Sequence, residues 1–127
     1  MRRTAIPGLV MAVAALATSP AQAAQTLFEL CNTTIVKLKG AGIIQGLTSH
    51  GSNPRGFDLL VNQGKWRMID PSTQSTIVHY AACFIAQGDS TIQTNGLVHD
   101  TETNKQLGAM SLSGQYFPAP TGPGFSP

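Results

Sequence analysis

Polar and apolar residues alternate with a period of two along several short stretches of this chain. In Ile35-Val36-Lys37-Leu38-Lys39 the lysines fall on one side and Val36 and Leu38 on the other. That is the pattern of a half-buried strand. Residues 65–69 repeat it, with Lys65 and Arg67 opposite Trp66 and Met68. Residues 26–31 and 57–61 are short apolar-rich runs and read as two more strands. Asn62-Gln63-Gly64, lying between 57–61 and 65–69, has the composition of a hairpin turn, and Asp70-Pro71-Ser72 reads as its stop. Residues 76–86 form a longer apolar run. Ile77, Val78, Tyr80 and Phe84 favour strand there and Ala81 and Ala82 allow helix; among so many strands it is read as strand.

The last third carries the clearest turn chemistry. Residues 90–94 and 97–101 flank Asn95-Gly96, the pair suited to a type I′ hairpin. Thr103-Asn104-Lys105 makes a second turn before residues 106–113. Roughly six to eight short strands with regular turn signals predict an all-β fold, a small antiparallel β-sandwich or barrel. Residues 46–56, with three glycines, a proline and several small polar residues, are predicted as a loop and therefore as a candidate site.

The N-terminus alters this picture. Met1-Arg2-Arg3, an apolar run from Ile6 to Ala17, and Ala21-Gln22-Ala23 have the layout of a secretory signal peptide cleaved after Ala23. The apolar run is too short to span a bilayer, which takes about 20 residues. The predicted organisation is a signal peptide at 1–23, an all-β domain at 24–116 and a Pro/Gly-rich flexible tail at 117–127. Without Arg2 and Arg3 the Lys and Arg number six, equal to the six Asp and Glu. Net charge therefore gives no ground for nucleic-acid binding. The expected location is secreted or periplasmic, with no transmembrane span after cleavage. In such a compartment the two cysteines, Cys31 and Cys83, are expected to form a disulfide.

Candidate chemistry is sparse. Gly40-Ala41-Gly42 through Gly46 lacks the spacing and the βαβ setting of a dinucleotide loop. His50, His79 and His99 show no metal-ligand spacing, so neither a metal nor a cofactor is expected. No Gly-x-Ser-x-Gly elbow is present, and nothing in the sequence pairs the acids. Lys37, Lys39, Lys65 and Arg67 would form one basic face if their strands shared a sheet. Together with His50 and Arg55 of the 46–56 segment they are the candidate binding residues, suited to an anionic lipid, a polysaccharide or another exported protein.

Leu30-Cys31-Asn32-Thr33-Thr34, Gly64-Lys65-Trp66 and Ile69-Asp70-Pro71-Ser72 together resemble small secreted β-sandwiches of the aegerolysin-like kind. The resemblance implies lipid binding at a membrane; it carries no site residues across. The expected function is non-enzymatic binding by an exported β-domain. Two alternatives are a small hydrolase with a site assembled from distant residues, and an assembly subunit that pairs through an edge strand.

Overall fold

A computed structural model describes residues 20–118. Most of the expected signal peptide (1–19) and most of the expected tail (119–127) lie outside the described residues. The element order is α1 (Pro20–Gly40), β1 (Ile44–His50), β2 (Arg55–Val61), α2 (Gln63–Arg67), α3 (Pro71–Ala86), β3 (Thr94–Asp100), β4 (Gln106–Met110) and β5 (Tyr116–Pro118). The five strands form one open sheet in the order β1-β2-β3-β4-β5. β2 and β3 are parallel and the other neighbours antiparallel. The all-β expectation is thus corrected to α/β. The chain forms neither a sandwich nor a barrel, because helices rather than a second sheet bury the inner face.

Local signals explain the helices. In α3, Asp70 is the N-cap: its carboxylate accepts the Thr73 N–H at 3.0 Å, and Pro71 follows in the first turn. A carboxylate at the cap and a proline just inside it start helices: the carboxylate accepts from a first-turn N–H that has no intrahelical acceptor, and proline lacks an N–H that would go unpaired there. Gln74, Ile77, Val78, Ala81, Ala82, Ile85 and Ala86 are buried, positions three and four apart that line one helical face. Gln87 (φ 57°) and Gly88 (φ +76°) close the helix in left-handed conformations. Gly88 is required for a second reason, because a Cβ there would sit 2.1 Å from the Ala24 carbonyl oxygen of α1.

In α1 the buried and half-buried positions Phe28, Cys31, Ile35 and Leu38 recur at helical spacing. Thr26, Thr33 and Thr34 return their hydroxyls to the carbonyls of Gln22, Glu29 and Leu30, four residues back, so threonine is accommodated inside a helix. Residues 26–31 and 35–39 are therefore helix and not strands, and the aegerolysin-like outline, which needs a strand ending before Asn32-Thr33 and another through Trp66, does not describe this fold. Asn62 caps α2 by accepting the Lys65 N–H at 2.9 Å, where a hairpin turn was expected.

The expected disulfide is present. Cys31 of α1 and Cys83 of α3 are bonded, with Cα atoms 6.1 Å apart. The core lies between these helices and the inner face of the sheet, with Ile35, Ile77, Val78 and Ile85 against Phe57, Leu59, Val61 and Val98. A buried polar hub links three elements. Gln74 Nε2 donates to the carbonyls of Trp66 (2.9 Å) and Ile69 (3.0 Å), while its Oε1 accepts from the Tyr116 hydroxyl at 2.8 Å. Burial pushes the Tyr116 phenol up to about 12, a rise that the nearby Trp66 side chain only partly offsets. Among the described residues no helix is long and apolar enough to cross a membrane.

Candidate functional site

The outer face of the sheet follows from strand parity. Phe57, Leu59 and Val61 point into the core, so Gly56, Asp58 and Leu60 point out. Pairing extends that face as three rows across the sheet. One row is His50–Gly56–Asn95. The second is Thr48–Asp58–Leu97–Ala109–Phe117. The third is Gly46–Leu60–His99–Gln106.

Three ionisable side chains meet there. His99 Nε2 lies 3.2 Å from Asp58 Oδ1, a hydrogen bond donated by the imidazole, and His50 Nε2 lies 3.7 Å from Asp58 Oδ2, at ion-pair range. One carboxylate from β2 thus stands between imidazoles from β1 and β3. The environments differ: the His99 side chain is 16 % exposed and the His50 side chain 67 %. Gly56 makes the second approach possible, since the His50 ring lies over it and a Cβ there would fall 2.2 Å from His50 Cε1. With Nε2 of His99 engaged by Asp58, Nδ1 is the ring nitrogen left over. That nitrogen is buried without a partner, as is Nε2 of its cross-strand neighbour Gln106. Among the described residues no group of three or more His, Cys, Asp or Glu is arranged to hold a metal ion.

The residues singled out from sequence separate into two ends of the molecule. β2 begins at Arg55 and ends at Val61, a length of about 20 Å. His50 and Arg55 lie at its start, Lys65 and Arg67 beyond its end. Arg55 is a structural tie: Nη1 donates to the Ile85 carbonyl in the last turn of α3 at 2.8 Å, where a cation offsets the helix dipole. Its charge also helps to hold Asp89 below the ordinary carboxylate range, behind the Thr91 hydroxyl and backbone N–H as the main causes. At the other end Lys65 Nζ donates to the Ala41 carbonyl at 2.8 Å, just past α1. Lys37 and Lys39 are exposed in the last turn of α1. On a helix, residues two apart point to opposite flanks, so these lysines straddle Leu38 instead of sharing a face. Arg67 turns to the side-chain oxygen of Gln63 on its own helix.

His79 lies elsewhere, with Nδ1 2.7 Å from the Ser75 carbonyl and Nε2 2.6 Å from the Gly114 carbonyl, tying the β4–β5 turn to α3. Grooves mark the helical layer. One of about 410 Å³ runs beside the disulfide, between Leu27 and Tyr80. Another of about 610 Å³ lies between the start of α1 and the end of α3 and includes Ala21, on the segment expected to be removed by cleavage.

Asp58 and His99 were not singled out from sequence. The one available signal was the alternation around each, which marks a side chain facing away from the core and nothing more. No known protein family, no curated protein and no solved structure matches the chain significantly.

Proposed function

We propose that this chain is an exported, non-enzymatic binding domain that meets its partner on the open face of its sheet. Export rests on the signal-like pattern of residues 1–23, and a Cys31–Cys83 bridge is in keeping with an oxidising compartment. The observation that carries the binding reading is the His50–Asp58–His99 cluster. Three strands place hydrogen-bonding side chains side by side on a face that no described helix covers. Rigid strands backed by a disulfide-tied helical layer hold such groups at fixed spacing, which lowers the ordering cost of binding.

The test uses the full chain expressed for export and purified in its processed form. It is offered to anionic liposomes and to immobilised polysaccharides. Two variants accompany it: His50→Gln with Asp58→Asn on the face, and Lys37, Lys39, Lys65 and Arg67 all to Gln at the basic end. Retention lost in the face variant and kept in the basic-end variant is the expected result. Loss in the basic-end variant alone moves the site to the end of α1 and overturns the reading, as does retention on neither support.

A hydrolase is the second reading, favoured by one observation. A carboxylate hydrogen-bonded to an imidazole is also the pair that orients a catalytic base. Shortening of the polysaccharide, abolished by Asp58→Asn, would replace binding by hydrolysis.

A further inference from the structure

We infer that the open face takes a neutral polyhydroxylated ligand, a glycan chain laid across the strands. This inference rests on the binding reading above and names the chemistry of that site. The three outward rows contain no lysine and no arginine. A surface for phosphate headgroups or polyanions would need such cations; here Lys65 and Arg67 lie beyond the end of β2, and Arg55 at its start is turned to the Ile85 carbonyl. The face offers planar and short hydrogen-bonding groups instead: Thr48, His50, Asp58, Asn95 and Gln106, with His99 behind Asp58 as its hydrogen-bond partner. Carboxylate, carboxamide and imidazole can each accept from or donate to hydroxyls, and they are spaced by the strand repeat.

The apolar half of the ligand is also provided for. The middle row runs Thr48–Asp58–Leu97–Ala109–Phe117, from polar to apolar. Phe117 ends it, 37 % exposed, with the fully buried Ala109 beside it. An accessible ring at the end of a polar row suits the C–H face of a sugar, as carboxylate and hydroxyl suit its edge. Five strands span about 19 Å between the outermost axes, room for several linked rings. The ligand is therefore read by several modest contacts, and binding is expected to rise with its length.

The experiment is a titration of the purified exported protein with neutral hexasaccharides, an α-linked glucan, a β-linked glucan and an N-acetylglucosamine oligomer, followed by amide NMR and calorimetry. A sulfated oligosaccharide and anionic vesicles are run beside them. At least one neutral hexasaccharide should shift amides of β1, β2 and β3, and should bind tenfold or more weaker to Asp58→Asn and to Phe117→Leu. The leucine keeps an apolar cover over the row, and unchanged melting of both variants separates lost contact from lost fold. Lys37→Gln with Lys39→Gln should bind as the parent does. Failure of all three neutral probes at millimolar concentration overturns the glycan inference. If the sulfated probe or the vesicles nevertheless shift the same amides, the open-face binding reading stands and only the ligand class falls.

Discussion

Adding one methyl group at Gly96 or at Gly56 should have opposite consequences. In both places a ring from the next strand occupies the space where a side chain would stand. A Cβ on Gly96 would lie 2.4 Å from Cε1 and Cζ of Phe57, while ordinary contact starts at 3.4 Å. Phe57 is 1 % exposed, so its ring must retreat by about 1 Å into a close-packed core. Overpacking of that kind costs about 1–3 kcal/mol. Replacing glycine by alanine returns about 0.4–1 kcal/mol through the unfolded chain, which leaves Gly96→Ala roughly 1–2 kcal/mol less stable. At Gly56 the obstacle is the His50 ring, whose side chain is 67 % exposed and free to swing into solvent. Gly56→Ala should therefore stay within about 0.5 kcal/mol of the parent while displacing His50 from Asp58. Urea unfolding measures the first effect, as a midpoint lower by about 0.5–1 M for a slope of about 2 kcal/mol per M. Imidazole NMR measures the second, as an altered environment of His50. A Gly96→Ala protein as stable as the parent, or a Gly56→Ala protein that loses as much as Gly96→Ala, would refute the reasoning.

Three further outcomes are expected. Replacing Cys31 and Cys83 by Ala removes a cross-link closing a separation of 52 residues and should cost about 4 kcal/mol, read as a urea midpoint lower by about 2 M; a loss below about 1 kcal/mol would show that the unfolded chain gains little freedom. Gln74→Met keeps the size of the side chain but leaves the Trp66 and Ile69 carbonyls and the Tyr116 hydroxyl without their partner, a change expected to cost about 2–4 kcal/mol by thermal melting, and a neutral result would mean that water replaces the hub. Tyr116, with its pKa raised to about 12, binds its proton more tightly folded than unfolded; its contribution to stability is complete below the ordinary value of about 10 and is lost as the pH rises through about 12. Ultraviolet titration should show Tyr116 ionising late, and its ionisation near 10 would contradict the burial.

The parts of the fold that could be read from sequence were those fixed by short-range chemistry alone. The strand at 57–61, the reversal near residues 103–105 and the pairing of Cys31 with Cys83 all depend on neighbouring residues or on compartment. The helices were missed where two periods coincide. Residues 35–39 alternate like a strand, yet Lys37 and Lys39 alternate only because they flank Leu38 on a helix. In α3 the burial spacing from Gln74 to Ala86 is helical throughout, and the cap Asp70 with Pro71 announced it. The β-branched Ile77 and Val78 argued the other way locally, and tertiary burial of one face outweighed them. Asn95-Gly96 misled for a different reason. It has turn chemistry, but its glycine is needed within β3 to admit the Phe57 ring of the adjacent parallel strand, and that need cannot be seen without the neighbour.

The candidate site was hidden by the same crossover. His99 meets Asp58 only because β3 runs parallel to β2, with Leu60 opposite His99 and Asp58 opposite Leu97. Parallel neighbours require a long return path, and α2 and α3 supply it. Reading residues 76–86 as a strand removes that path and places residues 90–101 in a local hairpin, where His99 pairs with its own sequence neighbours. The misread helix and the missed site are one error. The site's geometry then depends on where α3 sits, and α3 is fastened by Cys83 to α1, by Gln74 to Tyr116 and by the Ile85 carbonyl to Arg55. Residues remote from the open face thereby set the spacing of the groups on it. Loosening α3 should weaken binding on that face even where every outward side chain is intact.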